Sequence, residues 1–169
     1  LQTHQLNERL RYLMNHDQMS GLLVRQAFFT ALNTMRGARE GVIIAIDIDH
    51  FKAINDTYGH LDGDSVIVAT AQFIRSLAQG QPAARFGGEE FMLFLPDTSL
   101  EAGTRFAEAL VRGVERLPVR SRDHGDIKVT ISAGVCNLPP SADLDTALIH
   151  ADDALYQAEK SGRNRVCVA

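Results

Sequence analysis

Apolar residues recur along the chain at two kinds of spacing, and the alternation between them outlines the elements. Leu6, Leu10 and Leu13, four and three residues apart with polar residues between, make a one-sided helical stripe over residues 1–15. Two readings of that stripe stand: a helix packed on its own domain, or the last turns of a helix connecting the domain to an upstream module. A turn-like stretch, residues 16–22, leads to a helix over 25–35. Residues 41–46 (Gly-Val-Ile-Ile-Ala-Ile) are continuously apolar and mostly β-branched, the pattern of a central strand buried on both faces. Beyond it the spacing predicts a short helix over 51–58, a break over 59–63, and a longer amphipathic helix over 64–78 burying Val68, Ala71 and Leu77.

Two short apolar runs, 83–86 and 91–95, flank Gly87-Gly88-Glu89-Glu90 and read as a hairpin with its chemistry at the turn. A helix over 99–117 follows with Ser99 as its N-cap, then a polar loop over 120–126 and a strand over 127–136. Pro139-Pro140 breaks the pattern before a helix over 143–160, closed by Gly162, and a final strand over 165–168. Strands alternating with helices around at least one hairpin define an α/β (α+β) fold.

Composition narrows the class. The 169 residues are 45% hydrophobic and 22% charged, with 13 Gly and 5 Pro, which excludes disordered, collagen-like and small disulfide-stapled chains and suits one domain with a short appendage. Seventeen Lys and Arg against 21 Asp and Glu leave a net charge of -4, a poor match for duplex DNA or anionic lipid. A small phosphorylated ligand needs only local cationic groups. Cys136 and Cys167 form no CxxC or zinc spacing, as expected of a reducing compartment. The run 42–46 is far short of a bilayer span, and the first sixteen residues lack an apolar signal core. The expectation is a cytoplasmic domain with no DNA binding and no membrane segment in this part. Because the chain opens on Leu1 rather than Met, it is expected to be a segment of a longer protein.

The candidate chemistry is acidic. Asp47 and Asp49 lie two apart at the end of the 41–46 strand, so both carboxylates project to one face if the strand persists that far. Glu89 and Glu90 sit at a Gly-Gly turn, where backbone approaches a ligand closely. If the hairpin lies beside the strand, the groups converge, and gathered carboxylates raise one another's pKa unless a cation neutralises them. Such oxygens suit Mg2+, which takes one or two carboxylates plus substrate phosphates. Either pair alone is as well explained by solvated surface charge; the glycines and the intervening segment tip the balance toward a site. His50-Phe51-Lys52 opens a helix, and N–H groups at a helix start with a lysine form a phosphate cradle. Asn55 and Asp64 read singly as helix caps. A carboxylate there also accepts from guanine's adjacent N1–H and N2 amino donors, a pair adenine lacks. Arg85 reads as a strand residue paired to a carboxylate, with a functional contact as the alternative, Phe86 and Phe91 as core, and Tyr156 as packing.

Asp47-Ile48-Asp49-His50-Phe51-Lys52-Ala53-Ile54-Asn55-Asp56-Thr57-Tyr58-Gly59-His60-Leu61-Asp62-Gly63-Asp64, followed by Arg85-Phe86-Gly87-Gly88-Glu89-Glu90-Phe91, resembles the GGDEF family of diguanylate cyclases, the name-giving motif appearing as GGEEF. Residues 17–22 are similar to the family's DxLTGL opening and residues 154–166 to its closing segment, so the likeness covers nearly all the chain after Asp17. The resemblance implies a central, mostly antiparallel sheet flanked by helices, similar to polymerase palms and class III nucleotidyl cyclases. It would occupy residues 17–169 behind a linker helix over 1–16. It implies condensation of two GTP into cyclic di-GMP and two pyrophosphates across an antiparallel homodimer, in the output domain of a larger signalling protein with an upstream sensor or regulatory domain.

Carried over by position, Asp47, the Ile48 carbonyl and Glu89 hold Mg2+, for which Mn2+ is the expected substitute. Glu89 is the general base for the ribose 3′-OH, and Gly88 and Glu90 lie in the same substrate neighbourhood. Asn55 and Asp64 contact guanine, and His60 lies among the substrate contacts. Phe51, Lys52 and the neighbouring backbone meet the triphosphate, where Lys52 offsets charge in the transition state, and Arg163 binds phosphate. Two positions depart from the family. The inhibitory RxxD pattern is replaced by Ala78 and Gln81, so product inhibition there is not expected. Glu159 stands where a phosphate-binding Lys is common; it either repels the triphosphate or turns outward onto the surface. Two rivals to an active cyclase are a degenerate domain that only binds nucleotide, opposed by the intact GGEEF turn, and a cyclase making another dinucleotide, opposed by Asp64.

Overall fold

The computed structural model describes residues 1–37 and 39–169. In chain order its elements are α1 (Gln2–Asn15), α2 (Arg25–Met35), β1 (Gly41–Ile48), α3 (Phe51–Tyr58), α4 (His60–Ala78), β2 (Ala83–Arg85), β3 (Glu90–Leu95), α5 (Leu100–Glu115), β4 (Val119–Arg120), β5 (Asp126–Ile127), β6 (Ile131–Leu138), α6 (Leu144–Lys160) and β7 (Val166–Val168). Five strands form one sheet in the order β2-β3-β1-β6-β7, antiparallel except for the β6–β7 pair, while β4 and β5 make a separate ribbon. This is the mostly antiparallel, helix-flanked α/β sheet expected from the sequence.

β1 is central because its apolar run serves both faces of the sheet. Successive side chains of a strand point to opposite sides, so Val42, Ile44 and Ile46 join Val66 and Ile74 of α4 and Leu110 and Val114 of α5. Ile43 and Ala45 join Phe28 and Leu32 of α2 and Ala147 and Ala151 of α6. Burying each large aliphatic side chain contributes about 1.5–3 kcal/mol, which makes β1 a rigid stalk for whatever stands at its C-terminal end. On β6, a Cβ at Gly134 would lie 2.2 Å from the Ala151 carbonyl oxygen, so the glycine lets α6 rest directly on the sheet.

The structure departs from the sequence pattern at several places. The break is confined to Gly59, whose φ of 90° ends α3 and starts α4, and Gly63 lies inside the helix. The buried stripe of α4 runs through Val66, Ile67, Thr70, Ala71, Ile74 and Ala78, leaving Val68 and Leu77 only half-buried at its edges. α5 stops at Glu115 because Leu117 precedes Pro118, a position that disfavours helical backbone. The strand expected over 127–136 is two: β5 pairs with β4, and β6 begins at Ile131 and continues to Leu138 against β1. Tyr156 is 53% exposed with the Lys160 ammonium over its ring, so it is not packing. No residue of α1 is buried, and Leu6, Leu10 and Leu13 are 58%, 48% and 43% exposed. That overturns the reading of α1 as a helix packed on its own domain.

Candidate active site

The hairpin does lie beside β1. Asp47 pairs with Glu90 across the β1–β3 ladder, and the Ile48 N–H donates to the Glu89 carbonyl at 3.2 Å. The strand end and the glycine turn are therefore one site that gathers Asp47, Ile48, Gly88, Glu89 and Glu90. Arg85 holds the turn from behind: its Nε donates to the carbonyls of Gly87 (3.1 Å) and Gly88 (3.0 Å), and its Nη2 to Gly88 (2.8 Å). The same guanidinium reaches Asp17 Oδ2 through Nη1 at 3.1 Å. Asp17 also accepts from the N–H and hydroxyl of Ser20. Burial alone would raise its pKa, but the Ser20 bonds and Arg85 together hold it below the ordinary value. The GGEEF turn is thus anchored to the segment that leaves α1. Arg85 pairs with a carboxylate as its sequence position suggested; its grip on two turn carbonyls had no sequence signal.

The electrostatics single out Asp47. Its Oδ1 is buried with no hydrogen-bond partner among the described residues. Its pKa is pushed up to about 7 by burial, with Glu159, Glu89, Glu90 and Asp49 adding repulsion. Glu159 is itself raised by burial and by Asp49, Glu90 and Glu89, against the pull of Arg163. Glu159, half-buried in the last turn of α6, therefore lies within the field of both the carboxylates and Arg163. Asp152 of α6 is raised by burial and by Glu90, countered by Arg25. An orphaned carboxylate oxygen in a field of like charge is the setting that a divalent cation relieves. Among the described residues no three His, Cys, Asp or Glu side chains form a closed cage.

Asp49 is different, although the same spacing led us to expect it beside Asp47 on one open face. β1 ends at Ile48, and the Asp49 carboxylate is 5% exposed and bonded on both oxygens. Oδ1 accepts from the Ser132 hydroxyl at 2.6 Å; Oδ2 accepts from the Thr130 hydroxyl at 2.7 Å and the Asn164 N–H at 2.9 Å. Asp49 is committed to the interior, and the site is left with Asp47.

Between strand end and hairpin, α3 starts at Phe51 from a left-handed His50 (φ 54°). No side chain caps it, and its first ladder bond is Ile54 N–H to the His50 carbonyl at 3.0 Å. The N–H groups of Phe51, Lys52 and Ala53 therefore point outward unpaired within the helix, with exposed Lys52 among them, an arrangement that receives anions. Neither Asn55 nor Asp64 is a cap: Asn55 lies within α3 and Asp64 within α4. Asn55 Oδ1 is buried without a partner and would lie 1.8 Å from a Cβ on Gly63, so only glycine there leaves room for it. The α3–α4 junction thus brings Asn55 against Gly63, the neighbour of Asp64, while His60 stands exposed at the first turn of α4. Asn55 thus stands one helical turn beyond the open start of α3, with Asp64 and His60 on the neighbouring α4.

Carboxylates on two adjacent central strands, an uncapped helix start between them and a clamped glycine turn define a nucleotide-handling domain. The chain belongs to the GGDEF family of diguanylate cyclases: the model of that family (Diguanylate cyclase, GGDEF domain) matches residues 14–165. GGDEF cyclases are metal-dependent. The chain is 44% identical over 154 residues to diguanylate cyclase VdcA of Vibrio cholerae, covering 89% of this chain and 45% of that protein. It is 37% identical over 170 residues to diguanylate cyclase DgcM of Escherichia coli, covering 97% and 40%. The chain thus spans less than half the length of these relatives. Among solved structures, it matches the coiled coil and GGDEF domain of DgcB from Caulobacter crescentus in complex with c-di-GMP. The TM-score is 0.91 at 29% identity, covering 99% of this chain and 92% of that one. It also matches the active GGEEF domain of a diguanylate cyclase from Vibrio cholerae, with a TM-score of 0.71 at 33% identity, covering 84% and 89%.

Proposed function

We propose that the domain condenses two GTP into cyclic di-GMP and two pyrophosphates, one GTP per subunit of a homodimer. The observation that carries this reading is the β1–β3 pairing that sets Asp47 opposite Glu90 at the Arg85-clamped Gly87-Gly88 turn, with Asp47 Oδ1 left without a partner. Asp47, the Ile48 carbonyl and Glu89 are the groups that would hold Mg2+ (or Mn2+), and the ion would supply Lewis acidity for the 3′-OH and offset phosphate charge. Glu89 takes the proton from the ribose 3′-OH, whose oxygen attacks the α-phosphorus of the partner subunit's GTP, and pyrophosphate leaves. The α3 start at Phe51, Lys52 and Arg163 bind the triphosphate, Gly88 and Glu90 border the ribose, and His60 is a further substrate contact. Asn55 and Asp64 read guanine through its N1–H and N2 amino group, and the unpartnered Asn55 Oδ1 is a ready acceptor for such a donor.

The homodimer and the longer parent protein are part of the same proposal. The domain proper spans residues 17–169, and α1 is the end of a connecting helix. Its Leu6, Leu10 and Leu13 stripe pairs with that of a second copy, a reading supported by the near-complete match to a domain described with its coiled coil. The test is incubation of the purified chain with GTP and Mg2+ across a dilution series, with products resolved by mass. Cyclic di-GMP with two pyrophosphates, at a specific activity that rises with protein concentration, is the expected result. Bound but unreacted GTP would show a degenerate domain, and a mixed or adenine product would show the wrong base reading.

A further inference from the structure

We propose that Asp49 is a positioning residue for Arg163: it holds the loop after α6 in the one conformation that presents the guanidinium to the site. The inference rests on the reading of Arg163 as a triphosphate ligand. Arg163 and Asn164 are consecutive non-glycine residues in the left-handed region, with φ of 64° and 49°, a conformation that asparagine adopts readily but that arginine keeps only when its surroundings enforce it. The bonds that enforce it are all present. The Arg163 N–H donates to the Ala158 carbonyl at 3.0 Å, and the Arg163 carbonyl accepts from Arg165 Nε at 3.0 Å. The Asn164 side chain donates to Glu115 at the end of α5. The Asn164 N–H donates to Asp49 Oδ2 at 2.9 Å.

Of these anchors, Asp49 is the buried, charged one, and it is the one reached from the strand that carries Asp47. Its other two bonds, to Thr130 and Ser132, lock the carboxylate itself against β6. A single side chain therefore fixes the C-terminal loop to the end of β1, two residues from Asp47. The distance between the phosphate-binding arginine and the metal-binding strand is set through it. Without Asp49 the loop loses its inward tether, and Asn164 keeps only its bond to the exposed end of α5 at Glu115. Arg163 then samples positions away from the nucleotide.

The test is a double-mutant cycle on the GTP KM. Arg163→Ala is expected to raise KM about tenfold with little change in kcat. Asp49→Ser keeps a hydroxyl among Thr130 and Ser132 but is too short to reach Asn164. It should raise KM about fivefold in the parent and have no further effect in the Arg163→Ala background, the signature of two residues acting as one unit. Asp49→Asn keeps a neutral acceptor and should do the same at about twofold; it carries the cycle should Asp49→Ser not fold. Thr130→Val leaves Ser132 to hold Asp49 in place, so it is expected to lower the melting temperature and leave KM unchanged, and the Mg2+ requirement of Asp49→Asn should match that of the parent. An equal rise in KM for Asp49→Ser with and without Arg163, or for Thr130→Val, would overturn the proposal, as would an altered Mg2+ requirement. An unchanged KM in Arg163→Ala alone would instead remove Arg163 from the phosphate site and take the positioning role with it.

Discussion

Asp47 and Asp49 stand two residues apart at the end of the same strand, and their surroundings could hardly differ more. Asp47 keeps an oxygen buried without a partner, is repelled by Glu159, Glu89, Glu90 and Asp49, and has its pKa pushed up to about 7. Asp49 is more deeply buried, yet both its oxygens are bonded, to Ser132, Thr130 and the Asn164 backbone. Burial alone does not separate a functional carboxylate from a structural one; satisfaction does. A buried carboxylate with its hydrogen bonds complete holds a fold together, whereas one left incomplete stores unfavourable energy that a ligand can relieve.

The sharpest way to break this comparison is at the carboxylate the unsatisfied group shares its site with. Glu89→Gln should lower turnover by about 10³-fold, roughly 4 kcal/mol of transition-state stabilisation, with the thermal melt unchanged or raised. Near-normal cyclic di-GMP synthesis by this variant would remove Glu89 from the mechanism. The two aspartates should then diverge in opposite directions when each is neutralised. Asp49→Ala strands the buried Ser132 hydroxyl, the half-buried Thr130 hydroxyl and a backbone N–H and should cost about 3 kcal/mol of stability. Asp47→Asn removes repulsion and should raise the melting temperature of the metal-free protein while abolishing activity. Equal losses of stability in both would mean that Asp47 is as structural as its neighbour.

A smaller effect follows from the direction of the Asp47 shift. A carboxyl whose folded pKa lies above its unfolded value binds its proton more tightly when folded. The metal-free domain should therefore lose stability as pH rises from about 4 to about 7 and change little through this group beyond that. Because a cation needs the deprotonated form, the rise in melting temperature produced by Mg2+ should be larger near pH 8 than near pH 6. The Asp47→Asn variant should flatten both trends. Thermal melts across that range, with and without Mg2+, check them together, and a metal-free melting temperature insensitive to Asp47→Asn would rule the shift out.

How much of this was legible in the chain follows from the range of the forces involved. The elements that carry the site were readable because local signals define them: the apolar run of β1, the Gly-Gly turn of the hairpin, the Ser99 cap. The β1–β3 adjacency, and so the meeting of Asp47 with Glu90, stood in the sequence only as a condition, because strand pairing is a long-range choice that the pattern of one strand does not make. What was not legible is long-range polar bonding. The Arg85–Asp17 pair, the Asp49–Asn164 bond and the Asn164–Glu115 contact link residues with no sequence relation to one another. A spacing of two assigned Asp47 and Asp49 the same role because it sees direction and not partners. Gly63 was misread as a helix break for the same reason: its small size answers to Asn55 across the α3–α4 junction, not to its own helix.

Glu159 offers the finest adjustment of the comparison, because it is the charge that weighs most on Asp47. It sits in the last turn of α6, half-buried, within the field of the carboxylates and of Arg163. A lysine at this position would exchange repulsion of the incoming triphosphate for attraction. It would also favour the ionised form of Asp47. The triphosphate is bound before and during reaction alike, so the added attraction acts on ground and transition states together. Glu159→Lys should therefore lower the GTP KM several-fold with kcat nearly unchanged, the mark of uniform binding. Glu159→Gln, which removes the repulsion without adding a cation, should fall between the two. The effect should shrink as ionic strength rises, since a half-exposed charge is screened over about 10 Å at 0.1 M salt. Steady-state kinetics of the three proteins at two salt concentrations decide the matter. An unchanged KM in Glu159→Lys would mean that this carboxylate burdens Asp47 without ever meeting the nucleotide.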